Sequence, residues 1–348
     1  MRPRRHVLLA AIAAAAATLA AAGAAGAAHS ATTITGAGST FVAPLVSVWT
    51  PALGSAFDYT VQYSPVGSGA GIAAISNRQV DFGASDAPLT PDQLSACNGC
   101  VQIPWALSAT SIPYNVPGAP VHLHLSGDVL AKIYLGRISS WDDPAIKALN
   151  PGAALPDLKI TPVYRSDGSG TTYNFTDYLS RVSPEWKSKV GFSTAVEFPA
   201  GVGARGSSGV AGVVSNTPGA VTYVDVAYAL SNHLHFAAIR NAAGKFVYPS
   251  LRNIKAAAES LTSVPSTNEL HIVNPGRKFT AAYPICTYTY VVLPTRSAKA
   301  AELRKLVFWA LTQGQDPKRF TAKLLFEPIP KPVLVAAEKT LKLIQPAT

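Results

Sequence analysis

The sequence contains little charge and few reactive side chains. Charged residues make up 14% of its 348 positions, and there are three cysteines, one methionine and seven histidines. No Gly-x4-Gly-Lys-Ser/Thr segment is present, which excludes the usual nucleoside-triphosphate loop. A second Cys-x-x-C and a His-x3-His are also missing, so the spacing of a structural zinc site is not found. Lysines and arginines are scattered rather than clustered, which argues against nucleic-acid binding.

The composition describes a folded and mildly basic chain. Hydrophobic residues account for 48% of the sequence, and 348 residues suffice for two domains that each bury a core. The formal net charge of +10 falls to +7 when the arginines of the N-terminal segment, Arg2, Arg4 and Arg5, are set aside. A balance of this size favours an anionic solute or an anionic membrane surface over nucleic acid as the partner.

The N-terminal segment predicts an export signal over residues 1–30. The basic stretch "MRPRRHVLL" leads into the apolar, small-residue stretch "LLAAIAAAAATLAAAGAAGAA", which is the order found in secretory signal peptides. A permanent membrane anchor is the disfavoured alternative, because alanine and glycine are only weakly apolar and no second hydrophobic span follows. We therefore expect cleavage near residues 28–31 and a periplasmic mature protein.

Two of the three cysteines belong to the segment "CNGC", Cys97 to Cys100. This spacing occurs in redox-active pairs, in halves of zinc sites and in small structural disulfides. A zinc site would need two further ligands at suitable spacing, so we expect no metal here. In an oxidising periplasm, a disulfide that closes a surface loop is the favoured interpretation.

Short strand patterns alternate with helical patterns along the chain, which is typical of α/β sheets. From Val42 onward apolar residues recur with a helical period. The segment "GAVTYV" (219–224) predicts one strand, and "SAKAAELRKLVFWALTQG" (297–314) predicts a helix that Ser297 caps and Gly314 ends. We expect two α/β domains, with ligand-contacting turns beyond the carboxyl ends of strands.

Three segments share the order strand, Gly/Ser/Thr-rich turn, helix. They are "GAGSTF" (36–41), "GSGAG" (67–71) and "DGSGTT" (167–172). A helix start presents unpaired N–H groups and partial positive charge, glycine permits close approach, and serine or threonine adds a hydroxyl. One such turn is an ordinary cap, but three of them, with Arg165 beside one, predict an oxyanion site. Asp167 would then orient the guanidinium of Arg165, although this pair taken alone would be an ordinary surface salt bridge.

Asp86, in "FGASDAPL", would distinguish between oxyanions. An ionised carboxylate only accepts hydrogen bonds, so it favours an anion that carries a proton and repels one that carries none. Phosphate keeps a proton near neutral pH and sulfate does not, which makes phosphate the expected ligand. The alternative is an aspartate that merely caps the following loop.

A dinucleotide site and an enzyme are the competing hypotheses. The segment "GVGARG" (201–206) matches Gly-x-Gly-x-x-Gly, but no convincing strand precedes it and Asp225 lies too far along the chain. A phosphatase could use Ser68 or Ser169 as its nucleophile and Asp86 as its acid, yet no histidine neighbours either serine. We therefore expect no catalytic residue and no cofactor.

Six motifs, taken in order, resemble those of the periplasmic phosphate-binding proteins of high-affinity phosphate ABC importers. The resemblance runs from about Thr35 to the C-terminal helix and is carried by "GAGSTFVAP", "GSGAG", "VDFGASDAPL", "IYLGRISSWDDPAIKALNP", "YRSDGSGTTYNF" and "PGAVTYVDVAYA". It implies the two-lobed type II periplasmic-binding-protein fold, with one phosphate in the cleft between the lobes. The ligand residues it implies are Thr40, Phe41, Ser68, Asp86, Arg165, Ser169, Gly170 and Thr171, with Asp167 orienting the arginine.

The same resemblance implies how the chain is divided and what it works with. Lobe I would comprise residues 31–110 and 288–348, lobe II residues 111–287, and the hinge strands would span about 104–116 and 282–293. The expected partners are inorganic phosphate and the permease and ATPase subunits of an ABC importer. The protein itself would be a monomer and not an enzyme. A phosphatase-like enzyme or a surface adhesion protein on the same fold is the alternative.

Overall fold

The computed structural model describes residues 31–347. The export signal predicted for residues 1–30 lies outside this range. Within it, none of the helices combines the length and the apolar character that crossing a bilayer would require.

The strands are short except for two long segments near the middle of the first sheet. Their bounds are β1 Thr32–Gly38, β2 Tyr59–Ser64, β3 Phe82–Ser85, β4 Cys100–Ser111, β5 Pro113–Tyr114, β6 His124–Leu125, β7 Thr161–Arg165, β8 Val202–Ala204, β9 Ala220–Val221, β10 Val224–Asp225, β11 His235–Phe236, β12 Ala238–Arg240, β13 Phe246–Val247, β14 Cys286–Pro294, β15 Arg296–Ser297 and β16 Gln345–Pro346.

Helices connect most of these strands. Their bounds are α1 Ala43–Phe57, α2 Ser68–Ser76, α3 Pro91–Ala96, α4 Gly127–Tyr134, α5 Pro144–Lys147, α6 Gly170–Val182, α7 Pro184–Lys189, α8 Gly206–Asn216, α9 Val226–Ser231, α10 Leu251–Ala258, α11 Ala300–Leu311 and α12 Lys331–Leu341. Short 3-10 and π turns fill Gln313–Leu324.

Two sheets organise the chain and define two lobes. The first lobe is built on a six-stranded sheet in the order β10-β4-β14-β3-β1-β2, and the second on a five-stranded sheet in the order β11-β5-β9-β7-β8. Strands β1, β2 and β3 run parallel in the first sheet, as do β7, β8 and β9 in the second. The α/β class predicted from the alternating pattern is confirmed.

The two long strands lie where the chain passes between the lobes. Strand β4 pairs antiparallel with β14 over its length, from Cys100 opposite Pro294 to Ala109 opposite Cys286. One residue beyond β4 the chain enters β5, which belongs to the second sheet. The β4–β5 crossing lies within the first predicted hinge segment, 104–116.

Helix α1 packs on the core of the first lobe through one apolar face. Its buried residues Leu45, Val46, Trp49 and Leu53 form the predicted apolar face. The indole Nε1 of Trp49 also donates to the carbonyl oxygen of Gly314 at 2.9 Å, because a buried indole N–H needs a partner. The turn that precedes α1 is therefore anchored on the core of the first lobe.

Two local predictions were wrong. The segment 219–224 is not one strand but contributes to β9 and β10, which lie in different sheets. Between them, Thr222 Oγ1 donates to Val163 O at 2.9 Å, and the hydroxyl of Tyr223 accepts from the N–H of Arg165. These side-chain bonds lie where one continuous strand would pair through its backbone. Helix α11 begins at Ala300 without a side-chain cap, since Ser297 Oγ instead accepts from the N–H of Lys299 in the preceding turn.

Candidate functional site

The three predicted turns meet at the cleft between the lobes. They follow the carboxyl ends of β1, β2 and β7, which is where ligands bind in α/β sheets of this kind. Two backbone groups of the second lobe bond to the first: Gly168 O accepts from Gly69 N at 3.0 Å, and Gly170 N donates to Ser68 Oγ at 3.1 Å. The turns therefore face each other across a closed cleft.

The guanidinium of Arg165 is buried and held by a carboxylate. Its side chain is 2% exposed and that of Asp167 is 11% exposed. Arg165 Nε donates to Asp167 Oδ1 at 2.7 Å, and Nη2 donates to Oδ2. Although burial alone would raise it, the pKa of Asp167 lies below its ordinary value, because Arg165 and the N–H of Gly206 stabilise the charged form.

The remaining nitrogen of Arg165 reaches the other lobe. Nη1 donates to Thr40 Oγ1 at 3.1 Å. Because Asp167 holds the Nε–Nη2 edge of the guanidinium through two hydrogen bonds, the direction of Nη1 is set before any ligand arrives. Arg165 and Asp167 therefore form a buried ion pair at the cleft rather than an ordinary surface salt bridge.

Asp86 is buried and surrounded by hydroxyl groups. Its Oδ1 accepts from Ser39 Oγ at 2.5 Å and from Thr289 Oγ1 at 2.9 Å, and Ser68 Oγ lies 3.5 Å from Oδ2. Burial raises the pKa of Asp86 to about 6, against the lowering effect of these hydroxyls and of the charge on Arg165. Asp86 is therefore ionised at neutral pH, where it can accept a hydrogen bond from a ligand that carries a proton.

Helix α6 points its first turn into the cleft. Ser169 is its N-cap, with Oγ accepting from Thr172 N at 3.2 Å. The next hydroxyl, Thr171 Oγ1, is buried and has no hydrogen-bond partner. A buried hydroxyl without a partner carries a desolvation cost that a ligand oxygen would relieve. Asn174 ties this helix to the first lobe, since its Nδ2 donates to Asp86 O at 2.7 Å.

Glycine is required where the two lobes touch. A Cβ at Gly170 would lie 2.6 Å from Asp86 Cβ, and one at Gly67 would lie 2.4 Å from Asp167 Oδ2. Gly67 also has a φ of +98°, in the region that glycine adopts readily. The glycines of these turns permit the close approach of the lobes.

Phe41 lies beside Thr40, and its side chain is turned into the core. Its ring is fully buried and packs edge-on against Phe326, with the centroids 6.1 Å apart. The ring fixes the backbone at the entry to α1, whose first turn opens beside Thr40. The structure thus brings together every residue of the predicted ligand set.

Several polar residues around the site were not singled out from the sequence. Ser39, Thr289, Asn174 and Tyr223 contact Asp86 or Arg165, and Ser207 contacts Thr40 with 2.7 Å between their hydroxyl oxygens. Ser207 lies in the first turn of α8, within a fourth strand-turn-helix unit, β8 to α8, in "GARGSSG". That design was a usable signal, but β8 has only three residues and shows no strand pattern in the sequence.

The cysteines lie outside this constellation. Cys97 and Cys100 are bonded to each other and pack in a separate cluster with Ile72 and Leu89. Arg78 donates to the carbonyl oxygen of Cys97 at 2.9 Å, which ties the loop to α2. Across residues 31–347, no three potential ligands among His, Cys, Asp and Glu converge as a metal site would require.

Comparisons with known proteins agree with one another. A family model described as a PBP superfamily domain matches residues 23–312. The phosphate-binding protein PstS of Xylella fastidiosa (strain Temecula1) is 40% identical over 301 residues, covering 85% of this chain and 81% of that protein. PstS of Pasteurella multocida (strain Pm70) is 39% identical over 309 residues, covering 87% and 88% respectively.

A solved structure shares the fold. A high-affinity periplasmic phosphate-binding protein, determined with bound phosphate at pH 8.5, matches with a TM-score of 0.72 at 23% identity. The match covers 88% of this chain and 93% of that one. The two-lobed fold predicted from the motifs is thereby confirmed.

Proposed function

Because the chain belongs to the PBP superfamily and to its PstS phosphate-binding proteins, we propose that it captures inorganic phosphate outside the cytoplasm and delivers it unchanged to a phosphate ABC importer. The observation that carries this proposal is the buried Arg165, which Asp167 holds so that it reaches Thr40 of the opposite lobe. A buried, oriented guanidinium between two helix starts suits a small tetrahedral oxyanion.

Binding proceeds by exchange of hydrogen bonds. Phosphate oxygens accept hydrogen bonds from three kinds of donor. These are the guanidinium of Arg165, the hydroxyls of Thr40, Ser68, Ser169 and Thr171, and the backbone N–H groups of Phe41 and Gly170. The N–H of Gly170 exchanges its bond to Ser68 for a bond to phosphate. Nη1 of Arg165 keeps one proton on Thr40 and offers its second proton to the ligand. The free hydroxyl of Thr171 gains its first partner.

Asp86 supplies the selectivity. In its ionised form Asp86 accepts a hydrogen bond from the protonated oxygen of phosphate. Sulfate would present only unprotonated oxygen atoms to a buried negative charge. A pKa of about 6 keeps Asp86 ionised in neutral surroundings. Sulfate is therefore excluded by an unpaired charge rather than by its size.

Closure of the lobes follows from where the ligand residues lie. Thr40, Ser68 and Asp86 belong to the first lobe, and the Arg165 turn belongs to the second, so phosphate binds the closed form best. We place residues 31–110 and 288–348 in lobe I and residues 111–287 in lobe II, although β10 of the second range pairs with β4 in the first sheet. The hinge strands at about 104–116 and 282–293 contain the β4–β5 crossing and most of β14.

The partners and location follow from the same proposal. The closed protein docks as a monomer on the permease subunits, and a separate ATPase subunit drives import. Residues 1–30 direct export to the periplasm and are removed near residues 28–31. The hydroxyls of Ser68 and Ser169 each accept a backbone N–H, which favours holding an anion over attacking a phosphate ester.

Calorimetric titration of the mature chain separates these functions. We expect tight binding of phosphate, binding of sulfate weaker by about 1,000-fold or more, and no release of phosphate from an aryl phosphate. Equal affinities for phosphate and sulfate would contradict the role of Asp86. Turnover of an aryl phosphate that Ser169→Ala abolishes would establish the phosphatase instead.

A further inference from the structure

The first turn of α8 contacts two groups of the site at once. Gly206 donates its N–H to Asp167 Oδ1 at 3.0 Å, and the next residue, Ser207, places its Oγ 2.7 Å from Thr40 Oγ1. Ser207 is fully buried, and Gly206 has a φ of +73°, which glycine adopts without strain. The stretch that matches a dinucleotide motif thus ends at Gly206, which supports Arg165 through Asp167, and the residue after it supports Thr40.

The hydrogen bonds around Thr40 can be counted. A threonine hydroxyl has one proton to donate and two lone pairs that accept. Arg165 Nη1 donates into one lone pair, and a guanidinium can only donate. The bond with Ser207 can run in either direction, so the second lone pair is available to the proton of Ser207.

The direction of that bond decides what Thr40 offers to an anion. When Ser207 donates, both lone pairs of Thr40 are occupied and its proton is directed at a ligand oxygen. When Thr40 donates to Ser207 instead, a lone pair of Thr40 faces the anion and repels it. An anion in the cleft therefore selects the first arrangement.

Resting on the phosphate-binding function proposed above, we propose that Ser207 is a positioning residue for phosphate: in the closed protein its hydroxyl donates to Thr40 and directs the proton of Thr40 at a phosphate oxygen. Arg165 and Ser207 belong to the second lobe, and Thr40 belongs to the first. Thr40 thus becomes a dedicated donor only when the lobes close. This couples the strength of one phosphate contact to closure.

The test is a double-mutant cycle read by phosphate titration. Ser207→Ala raises the dissociation constant for phosphate about tenfold, the effect of one hydrogen bond lost from a buried network. Ser208→Ala, the same change one residue along on an exposed position of the same helix, leaves it unchanged. In a Thr40→Val background Ser207→Ala adds nothing, because the hydroxyl through which Ser207 acts is gone.

The outcomes separate this proposal from the function on which it rests. An unchanged constant in Ser207→Ala overturns the positioning role, and so does a loss that adds in full to that of Thr40→Val, since Ser207 would then act independently of Thr40. Urea unfolding of each unliganded variant checks that the fold is retained. If the wild-type chain gives no heat with phosphate, the proposed function fails and this role fails with it.

Discussion

The backbone N–H of Gly170 donates to the hydroxyl oxygen of Ser68, 3.1 Å away and 102 residues earlier in the chain. Ser68 begins α2 of the first lobe and Gly170 begins α6 of the second. The starts of two helices therefore meet directly across the cleft. Contacts this close leave no room for a side chain at position 170.

Gly170→Ala should weaken phosphate binding by hindering closure. The new methyl would lie 2.6 Å from Asp86 Cβ in the closed form, and such overpacking costs about 1–3 kcal/mol, or about 5- to 150-fold in affinity. Titration with phosphate measures the effect.

The matched control is Gly212→Ala in α8, where an added Cβ meets no atom within 4 Å. It should leave affinity unchanged and stabilise the chain by about 0.5–1 kcal/mol. Equal phosphate affinities of the two variants would contradict a close contact between the lobes at Gly170.

Arg165→Lys should lower phosphate affinity by about 100-fold, because an ammonium cannot hold both oxygens of Asp167 and also reach the ligand with a fork. Calorimetry on the purified variant gives the value. Arg181→Lys is the control: Arg181 also pairs with an aspartate, Asp177, but its side chain is 44% exposed on the far end of α6. A comparable loss of phosphate affinity in both variants would mean that the position and geometry of Arg165 do not govern binding.

Selectivity against sulfate should depend on the charge of Asp86. Burial raises its pKa to about 6, so the protonated form accumulates below about pH 6 and can donate to sulfate. The ratio of sulfate to phosphate affinity should rise as the pH falls through that value. Competition titrations over the pH range would record it. Asp86→Asn should show a high, pH-independent ratio once the titration of phosphate itself is subtracted; a ratio that still changes with pH would assign the effect to another group.

Asp225→Asn should stabilise the protein at neutral pH. Asp225 is fully buried, its Oδ2 has no hydrogen-bond partner, and burial together with the negative charge of Asp86 holds its pKa well above the ordinary value. The folded state therefore keeps a proton that the unfolded state loses above about pH 4, and stability declines as the pH rises toward the folded pKa. Asparagine has no proton to lose, so the gain should be largest above neutrality and vanish in acid.

Urea unfolding at several pH values tests the role of Asp225. Asp143→Asn is a close control, because Asp143 caps α5 with the same backbone conformation and the same bond to the residue two positions on, yet it is only half-buried. We expect it to change the unfolding free energy far less. A pH-independent difference for Asp225→Asn would show that its charge is not the cause.

Much of the fold could be predicted from local pattern. Helix α1, the turn at 167–172 and the strand before it follow from apolar period, glycine and capping residues, which act over a few positions along the chain. The segment 219–224 could not be assigned in the same way. Its residues suit a strand, but bonds from Thr222 and Tyr223 to distant partners divide it between two sheets.

The sequence by itself determined the residue types that make an oxyanion site: three Gly/Ser/Thr turns, an arginine and two aspartates at recognisable spacing. Only the tertiary structure decided that Asp86 lies among hydroxyls, that Thr171 keeps an unpaired hydroxyl, and that Ser207 reaches Thr40 from 167 positions away. The reason is physical. Propensity and capping act between neighbours in the chain, whereas burial, pKa and hydrogen-bond direction depend on which distant groups the two lobes bring together.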